Sequence, residues 1–340
     1  MFTNLLTLFY KLAVCLRLWL YRQGWIPSRR LPCSVVSVGN LTVGGTGKTP
    51  VTMWVAQYLA GEGKQVAILS RGYKRKSRES FLLVSNGNDI LVGPADAGDE
   101  PFLMASNCPG VIVAVGADRY QLGLWVLGNH KVDCVVLDDG FQHLGLERDL
   151  NLLLIDVTDP YGLQALLPLG RLREPLSGAQ RATGVIYTRA GNMDNLESVQ
   201  QIVASAVGSL VPLIATQFEA QTLVCENGKS EKDLACLLGI SVLIFSGIAN
   251  PSSFRSLVEN LGARVIDEIV FSDHVEYTME TIQHILNRME KAKVQICVTT
   301  EKDLVKVKGL WGNPESVWAL SLGIKFLEGQ DKLEKQLARV

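Results

Sequence analysis

From residue 34 onward the chain alternates short aliphatic and β-branched runs with stretches of helical length. The runs Ser34–Val38, Gln65–Ser70, Gly110–Val115, Asp133–Leu137, Leu150–Asp156 and Val185–Thr188 carry few polar positions, the pattern of strands buried on both faces. Pro50–Ala60 and Arg119–Leu127 read as helices between them. Such an alternation predicts a parallel sheet with helices on both faces. Residues 211–240 break the rhythm: Phe218, Thr222, Leu223 and Val224 precede a polar Glu226-Asn227-Gly228 turn, which predicts a β hairpin or linker. The alternation then resumes, with strands at Val242–Ser246, Arg264–Phe271 and Val294–Thr299 and helices at Ser252–Leu261 and Thr278–Ala292. The organisation expected is a helical segment over 1–25, a larger α/β lobe over 26–215, a β linker over 216–238 and a smaller α/β lobe over 239–340.

The first 21 residues differ from the rest. Phe2, Leu5, Leu6, Leu8, Phe9, Leu12, Val14, Leu16, Leu18, Trp19 and Leu20 make the segment strongly apolar, while Lys11 and Arg17 interrupt it. Wound as a helix, it carries Asn4, Thr7, Lys11 and Arg22 on one narrow side, with Arg17 off that stripe. Trp19, Tyr21 and Trp25, beside Arg22, Arg29 and Arg30, have the character of interfacial anchors. The reading preferred is a helix lying in a membrane surface; the other is a helix docked on the domain. Leu12-Ala13-Val14-Cys15 only approaches a lipoprotein box, because Val14 is too bulky where a small residue is needed.

Composition narrows the partners. Lys and Arg total 33 against 34 Asp and Glu, a net charge of −1, which argues against a nucleic-acid protein. A length of 340 residues fits about two domains. The seven cysteines are scattered without a C-x-x-C pair, so neither a disulfide framework nor a zinc site is expected.

The strongest chemical signal is Gly44-Gly45-Thr46-Gly47-Lys48-Thr49, set between a strand and a helix. Glycines let backbone N–H groups face phosphate oxygens, Lys48 reaches the β/γ phosphates, and the Thr49 hydroxyl suits Mg²⁺. The general pattern asks for glycine at position 42, where this chain has Thr42. Asp138-Asp139 ends the run Cys134–Leu137, the place where phosphate-loop enzymes put a magnesium carboxylate. Asp99-Glu100-Pro101 precedes Phe102-Leu103-Met104-Ala105; locally it reads as a helix start with Asp99 as cap, or as two carboxylates dividing base and metal work. His274, His143, Arg119 and Arg171 with Arg173-Glu174 are polar candidates that by default are structural or solvated.

Together these segments resemble the tetraacyldisaccharide 4′-kinase family of Gram-negative bacteria. The likeness rests on Val38–Pro50, Leu69-Ser70-Arg71-Gly72-Tyr73, Gly98–Pro101, Gly116-Ala117-Asp118-Arg119, Leu137–His143 and Gly170–Pro175. It continues through Gly247-Ile248-Ala249-Asn250-Pro251, Phe271-Ser272-Asp273-His274 and Thr299-Thr300-Glu301-Lys302-Asp303. Thr42 also fits that family. The resemblance implies a P-loop-like α/β lobe, a second α/β lobe joined by a β linker, and an interfacial amino-terminal helix. It implies transfer of the ATP γ-phosphoryl, with Mg²⁺, to the 4′-hydroxyl of a tetraacylated glucosamine disaccharide 1-phosphate, in lipid A biosynthesis at the cytoplasmic face of the inner membrane. By the same resemblance Thr42–Thr49 (Thr42, Val43, Gly44, Gly45, Thr46, Gly47, Lys48, Thr49) bind the nucleotide, Asp99 is base or hydroxyl-positioning group, and His274 orients it. Asp138 and Lys48 are also catalytic; Thr49, Glu100 and Asp139 hold the metal. Arg119, His143, Arg173, Glu174 and Tyr73 contact substrate or phosphate.

Two other readings suit a phosphate loop. One is a GTPase or ATPase switch of the metallochaperone type; the other is a membrane-docked ATP-binding scaffold. Guanine recognition wants [NT]-K-x-D, and Thr300-Glu301-Lys302-Asp303 has those residues at the wrong spacing.

Overall fold

β1 (Ser34–Asn40), the strand that leads into the glycine loop, is buried at every residue after the first. The computed structural model describes residues 2–207, 211–225, 231–248, 250–272 and 275–340. The chain divides into two compact units, residues 1–218 with 324–340 and residues 219–323.

In the first unit the strands after β1 are β2 (Val66–Ser70), β3 (Phe81–Asn86), β4 (Ile112–Gly116), β5 (Cys134–Asp138), β6 (Leu150–Asp156), β7 (Gly184–Thr188) and the start of β8 (Leu213–Cys225). Their order is β8-β7-β6-β1-β5-β2-β4-β3. All pairings are parallel except the edge strand β3, which runs antiparallel to β4. α1 (Phe2–Arg22) precedes the sheet, and α2 (Lys48–Gly61), α3 (Pro94–Ala97), α4 (Asp99–Asn107), α5 (Arg119–Asn129) and α6 (Met193–Ala204) lie between strands. On one side Leu122 and Val126 of α5 pack with Val35, Leu69, Ala114 and Val135; elsewhere Leu196, Val199 and Val203 of α6 pack with Leu153, Val185 and Tyr187. A parallel sheet buried in this way is what unalternated aliphatic strands require.

Strand register brings the chemical groups together. Val38 of β1 pairs with Asp138 of β5, and Leu137 pairs with Leu69 of β2. The glycine loop, the Asp138-Asp139 pair and Ser70 therefore emerge side by side at one end of the sheet, the end where open α/β sheets bind ligands.

In the second unit the parallel strands are β10 (Ser241–Ser246), β11 (Arg264–Val270), β12 (Ile296–Thr300) and the start of β13 (Val317–Glu328), in the order β11-β10-β12-β13. α8 (Met279–Ala292) and α9 (Glu301–Val307) cover one face through Ile282, Ile285, Met289 and Leu304; α7 (Pro251–Asn260) covers the other through Phe254 and Val258. β9 (Glu231–Lys232) pairs antiparallel with Leu223–Val224 of β8; the polar turn expected at Glu226–Gly228 lies outside the described residues.

Several elements depart from the sequence reading. β3 has no counterpart in it. β8 is a single 13-residue strand, half-buried along much of its length, rather than one short arm of a linker. The tail beyond residue 310 forms β13 and α10 (Gln330–Leu337), and residues 324–340 belong with the first unit, where Gln336 Nε2 donates to the Thr183 carbonyl at 2.7 Å. The expected cap at Asp99 is also displaced. Gly98, at φ 91°, takes the N-cap position, so Asp99 and Glu100 open α4 as its first two residues. All seven cysteines are free thiols, with Cys15 and Cys236 exposed.

α1 is a 21-residue helix with Leu5, Leu8, Phe9, Leu12 and Leu16 exposed. By length and composition alone, Asn4–Arg22 is apolar enough to cross a membrane.

Candidate active site

The loop between β1 and α2 is shaped by its glycines. Gly44 has φ 114° and Gly47 φ 82°, the latter as the left-handed N-cap of α2. A Cβ on Gly47 would run into the Phe218 ring. Asn40, fully buried at the end of β1, braces the loop by donating from Nδ2 to the Thr42 carbonyl at 2.8 Å. Thr188, at the end of β7, donates to the Thr46 carbonyl at 3.0 Å. The Thr46 hydroxyl is itself buried with no partner in the protein. With Thr49 it supplies hydroxyls beside backbone N–H groups at a helix N-terminus, a donor set that fits a nucleotide phosphate.

A second segment zips onto this loop. Thr42 pairs antiparallel with Leu172, Val43 N donates to the Arg171 carbonyl at 2.8 Å, and Arg173 N donates to the Leu41 carbonyl at 2.7 Å. That pairing places two guanidiniums. Arg171 bonds the Val43 carbonyl and Asp159, and a Cβ on Gly44 would run into its Nη2. Arg173 Nη1 reaches both oxygens of Asp139, at 3.0 and 2.8 Å.

Asp138 and Asp139 differ sharply in surroundings. Asp139 stands at φ 50° just past β5, with Lys48 Nζ 3.8 Å away in addition to Arg173. Burial pushes its carboxyl up, but Lys48 and Arg173 outweigh it and hold the group below the usual range. Asp138 is buried, accepting from Ser70 Oγ at 2.9 Å. Burial, together with the nearby Glu100 and Asp139 carboxylates, pushes it up to about 7, against the pull of Ser70 and Lys48. A buried carboxyl next to a like charge favours either a proton or an added cation. Thr49, Asp138 and Glu100 thus offer oxygen donors, although among the described residues no three His, Cys, Asp or Glu side chains form a cage of their own. That fits Mg²⁺, which is commonly held by one or two carboxylates with the rest of its shell from phosphate and water.

Arg119 follows Asp118, which caps α5 by accepting from Tyr120 and Gln121 backbone N–H groups. Its side chain folds inward, buried, with Nη1 on the Ala117 carbonyl at 2.8 Å and Nε without a partner. Burial lowers its pKa, partly offset by the attraction of Asp138. His143 is pushed down to about 4 by burial and then by Arg119, so it is a neutral imidazole at neutral pH. Glu174 is buried behind the loop. Both its oxygens accept from Arg181 at 2.8 Å, and Oε1 accepts from Gln142 Nε2 at 2.9 Å. Gln142 Nε2 also donates to the Asn40 carbonyl at 2.7 Å.

The fold therefore gathers the glycine loop, Lys48, Asp138, Asp139, Arg173 and Arg119, with Glu100 in electrostatic reach of Asp138. Glu174 supports them from behind. Tyr73 is exposed, with the Lys74 ammonium 5.7 Å from its ring centre, although its carbonyl lies close to Gly98, just before Asp99. His274 lies outside the described residues. The sequence reading missed Asn40, Ser70, Gln142 and Arg181 as parts of this network and treated Arg171 as a solvated loop residue. A buried polar residue ending an apolar strand, as at Asn40 and Ser70, was the available signal.

Comparison with known proteins comes down on one family. A family model described as tetraacyldisaccharide-1-P 4′-kinase matches residues 1–340. A tetraacyldisaccharide 4′-kinase of Pelobacter propionicus is 41% identical over 309 residues, covering 89% of this chain and 82% of that protein. Another, of Desulfatibacillum aliphaticivorans, is 38% identical over 327 residues, covering 96% and 89%. Among solved structures, the "apo" form of LpxK from Aquifex aeolicus in complex with ATP superposes with a TM-score of 0.80 at 35% identity, over 100% of this chain and 99% of that one.

Proposed function

The chain belongs to the tetraacyldisaccharide-1-P 4′-kinase family, and from that premise we propose that it moves the ATP γ-phosphoryl to the 4′-hydroxyl of a tetraacylated glucosamine disaccharide 1-phosphate. The product is lipid IVA, an intermediate of lipid A biosynthesis. The observation that carries the reading is the convergence of the phosphate loop, Lys48 and the Asp138-Asp139 pair at one sheet end, in a chain with whole-length family likeness.

Phosphoryl transfer needs little covalent help from a protein; it needs alignment and neutralised charge. Thr42–Thr49 grip the triphosphate through backbone N–H groups. Lys48 places its ammonium at the β/γ oxygens, held in direction by Asn40 Oδ1 at 3.4 Å and Asp139 at 3.8 Å. Arg173, fixed on Asp139, and Arg119, buried near Asp138, add positive charge around the transferring group. Mg²⁺, when bound, would supply charge neutralisation around the transferring phosphoryl group. Thr49, Asp138 and Glu100 would hold it, while Asp139 is already paired with Lys48 and Arg173 and orients both. Asp99, at the N-terminal turn of α4, receives the acceptor hydroxyl's proton late in transfer. His274 keeps the assisting role that the family resemblance gives it. Tyr73 and His143 border the acceptor.

A tetraacylated acceptor stays in the bilayer, so the enzyme works at the lipid surface. We place it at the cytoplasmic face of the inner membrane, with α1 lying along the interface. A helix hydrogen-bonded sideways to the first unit, as α1 is through Tyr10 and Arg17, cannot cross the bilayer while that unit stays in water.

The switch alternative is not favoured. Asp303, the residue needed to read guanine, is buried and already accepts from Gly247 N at 2.9 Å and Thr300 Oγ1 at 2.8 Å. The test is a mixed-micelle assay with Mg²⁺, acceptor lipid and γ-labelled ATP or GTP. Label entering the lipid from ATP supports the proposal; label released only as inorganic phosphate refutes it.

A further inference from the structure

α1 rests on the first unit along one stripe. Thr7, Tyr10, Val14, Leu18 and Tyr21 are half-buried, at helical spacing, while Leu5, Leu8, Phe9, Leu12 and Leu16 face outward. Two polar groups of this helix reach the catalytic loops. Tyr10 Oη donates to the Arg173 carbonyl at 2.7 Å, and Arg17 Nη2 donates to the Gln142 carbonyl at 3.0 Å.

Those carbonyls belong to residues that the charge network shares. Arg173 Nη1 holds both oxygens of Asp139 and lies 3.4 Å from Gln142 Oε1. Gln142 Nε2 holds Glu174 and the Asn40 carbonyl, and Asn40 Oδ1 faces Lys48. Each loop backbone is thus pinned from α1 on one side while its side chain is fixed on the phosphate side. Burial raises the Tyr10 phenol above its usual pKa, so the hydroxyl remains a donor at neutral pH.

We propose that Tyr10 and Arg17 are positioning residues for phosphoryl transfer: besides any affinity of α1 for lipid, they set the backbone of Arg173 and Gln142 and thereby the alignment of the Asp139–Lys48 charges. The inference rests on the kinase reading of the site. It predicts that affinity for a lipid surface and turnover separate on mutation.

The test uses the full-length protein with Tyr10→Phe and, independently, Arg17→Met, which keeps an apolar stem. Thermal unfolding checks the fold; sedimentation with vesicles of phosphatidylethanolamine and phosphatidylglycerol checks surface binding. Steady-state kinetics in mixed micelles gives kcat and the lipid KM. Each substitution is expected to lower kcat about fivefold, the order of one lost hydrogen bond, with sedimentation and lipid KM unchanged. The decisive readout is a double-mutant cycle. On an Arg173→Lys background, Tyr10→Phe is expected to have less than about twofold further effect, because the group it aligns is already lost. Unchanged kcat in both single variants, effects confined to KM or sedimentation, or full multiplication of the Tyr10 and Arg173 effects would overturn the proposal. An inactive wild-type protein in the same assay would instead overturn the kinase reading.

Discussion

Glu174 is the buried hinge of the network, and its removal is the most informative stability experiment. The side chain is 2% exposed, and three hydrogen bonds end on it: two from Arg181 Nη2 at 2.8 Å and one from Gln142 at 2.9 Å. Glu174→Ala leaves the Arg181 guanidinium facing a void next to the Phe141 ring, 4.8 Å from its centre. Stripping one partner from a buried pair costs roughly 3–5 kcal/mol. Arg181 is 26% exposed and can recover part of its hydration, so about 3 kcal/mol is the better expectation. For a unit of this size, 1 kcal/mol moves the melting temperature by roughly 2–4 °C, so Glu174→Ala should lower it by roughly 6–12 °C. Arg181→Ala removes the charge that needs the carboxylate but leaves Glu174 buried, and is expected to cost a similar amount. The double variant should cost much less than the two together, with a coupling of at least about 1.5 kcal/mol. Thermal unfolding of the four proteins gives the cycle. A loss below about 3 °C for Glu174→Ala, or strict additivity, would show that the pair contributes little and that Gln142 is held by other contacts.

Asp99→Ala should lower kcat by about a hundredfold or more, the size of a lost base or positioning group, with ATP binding by calorimetry retained; unaltered turnover in a folded protein removes Asp99 from the reaction. Gly44→Ala meets a backbone at φ 114°, where an L side chain is strained by about 1–2 kcal/mol, and its Cβ must displace the flexible end of Arg171. The KM for ATP should rise about tenfold, and an unchanged KM would mean that the loop has another shape when nucleotide binds. His143, held at about 4 against an unfolded value near 6.5, binds fewer protons folded than unfolded between those limits. Stability should therefore fall as pH drops through that window, by on the order of 2 kcal/mol, and His143→Gln should flatten that part of the profile measured by denaturant unfolding.

The α/β alternation and the phosphate loop were legible because strong local signals agree. Unbroken aliphatic runs flank helix-length stretches, and the glycines of 44–47 sit between a strand and a helix. β8 was not legible because long stretches of it are half-buried, leaving no aliphatic run to read. The same holds for β13, whose outer half is half-exposed. Within the site, Lys48 and Asp138-Asp139 were readable from their place after strands. Arg171 was not, since it meets the Val43 carbonyl only through a pairing of segments 128 positions apart. Tyr10 had no signal of its own in the sequence; only the docked stripe and its bond to the Arg173 carbonyl distinguish it. Arg17, which spoils the helix's polar stripe, is explained by its bond to the Gln142 carbonyl. Asp99 carried a local meaning, helix capping, that matched its spacing equally well, and only Gly98 at φ 91° in the N-cap position ahead of it removes that meaning.

The central claim is that residues 44–49 hold a triphosphate whose terminal group passes to a sugar hydroxyl on a lipid. The most direct measurement is a single-turnover reaction with ATP, Mg²⁺ and the tetraacyldisaccharide 1-phosphate, followed by fragmentation mass spectrometry that locates the new phosphate. One phosphoryl group on the 4′-oxygen, absent with Lys48→Met, is the predicted result. ATP converted to ADP with the lipid unmodified, or a Lys48→Met protein as active as the wild type, would contradict it.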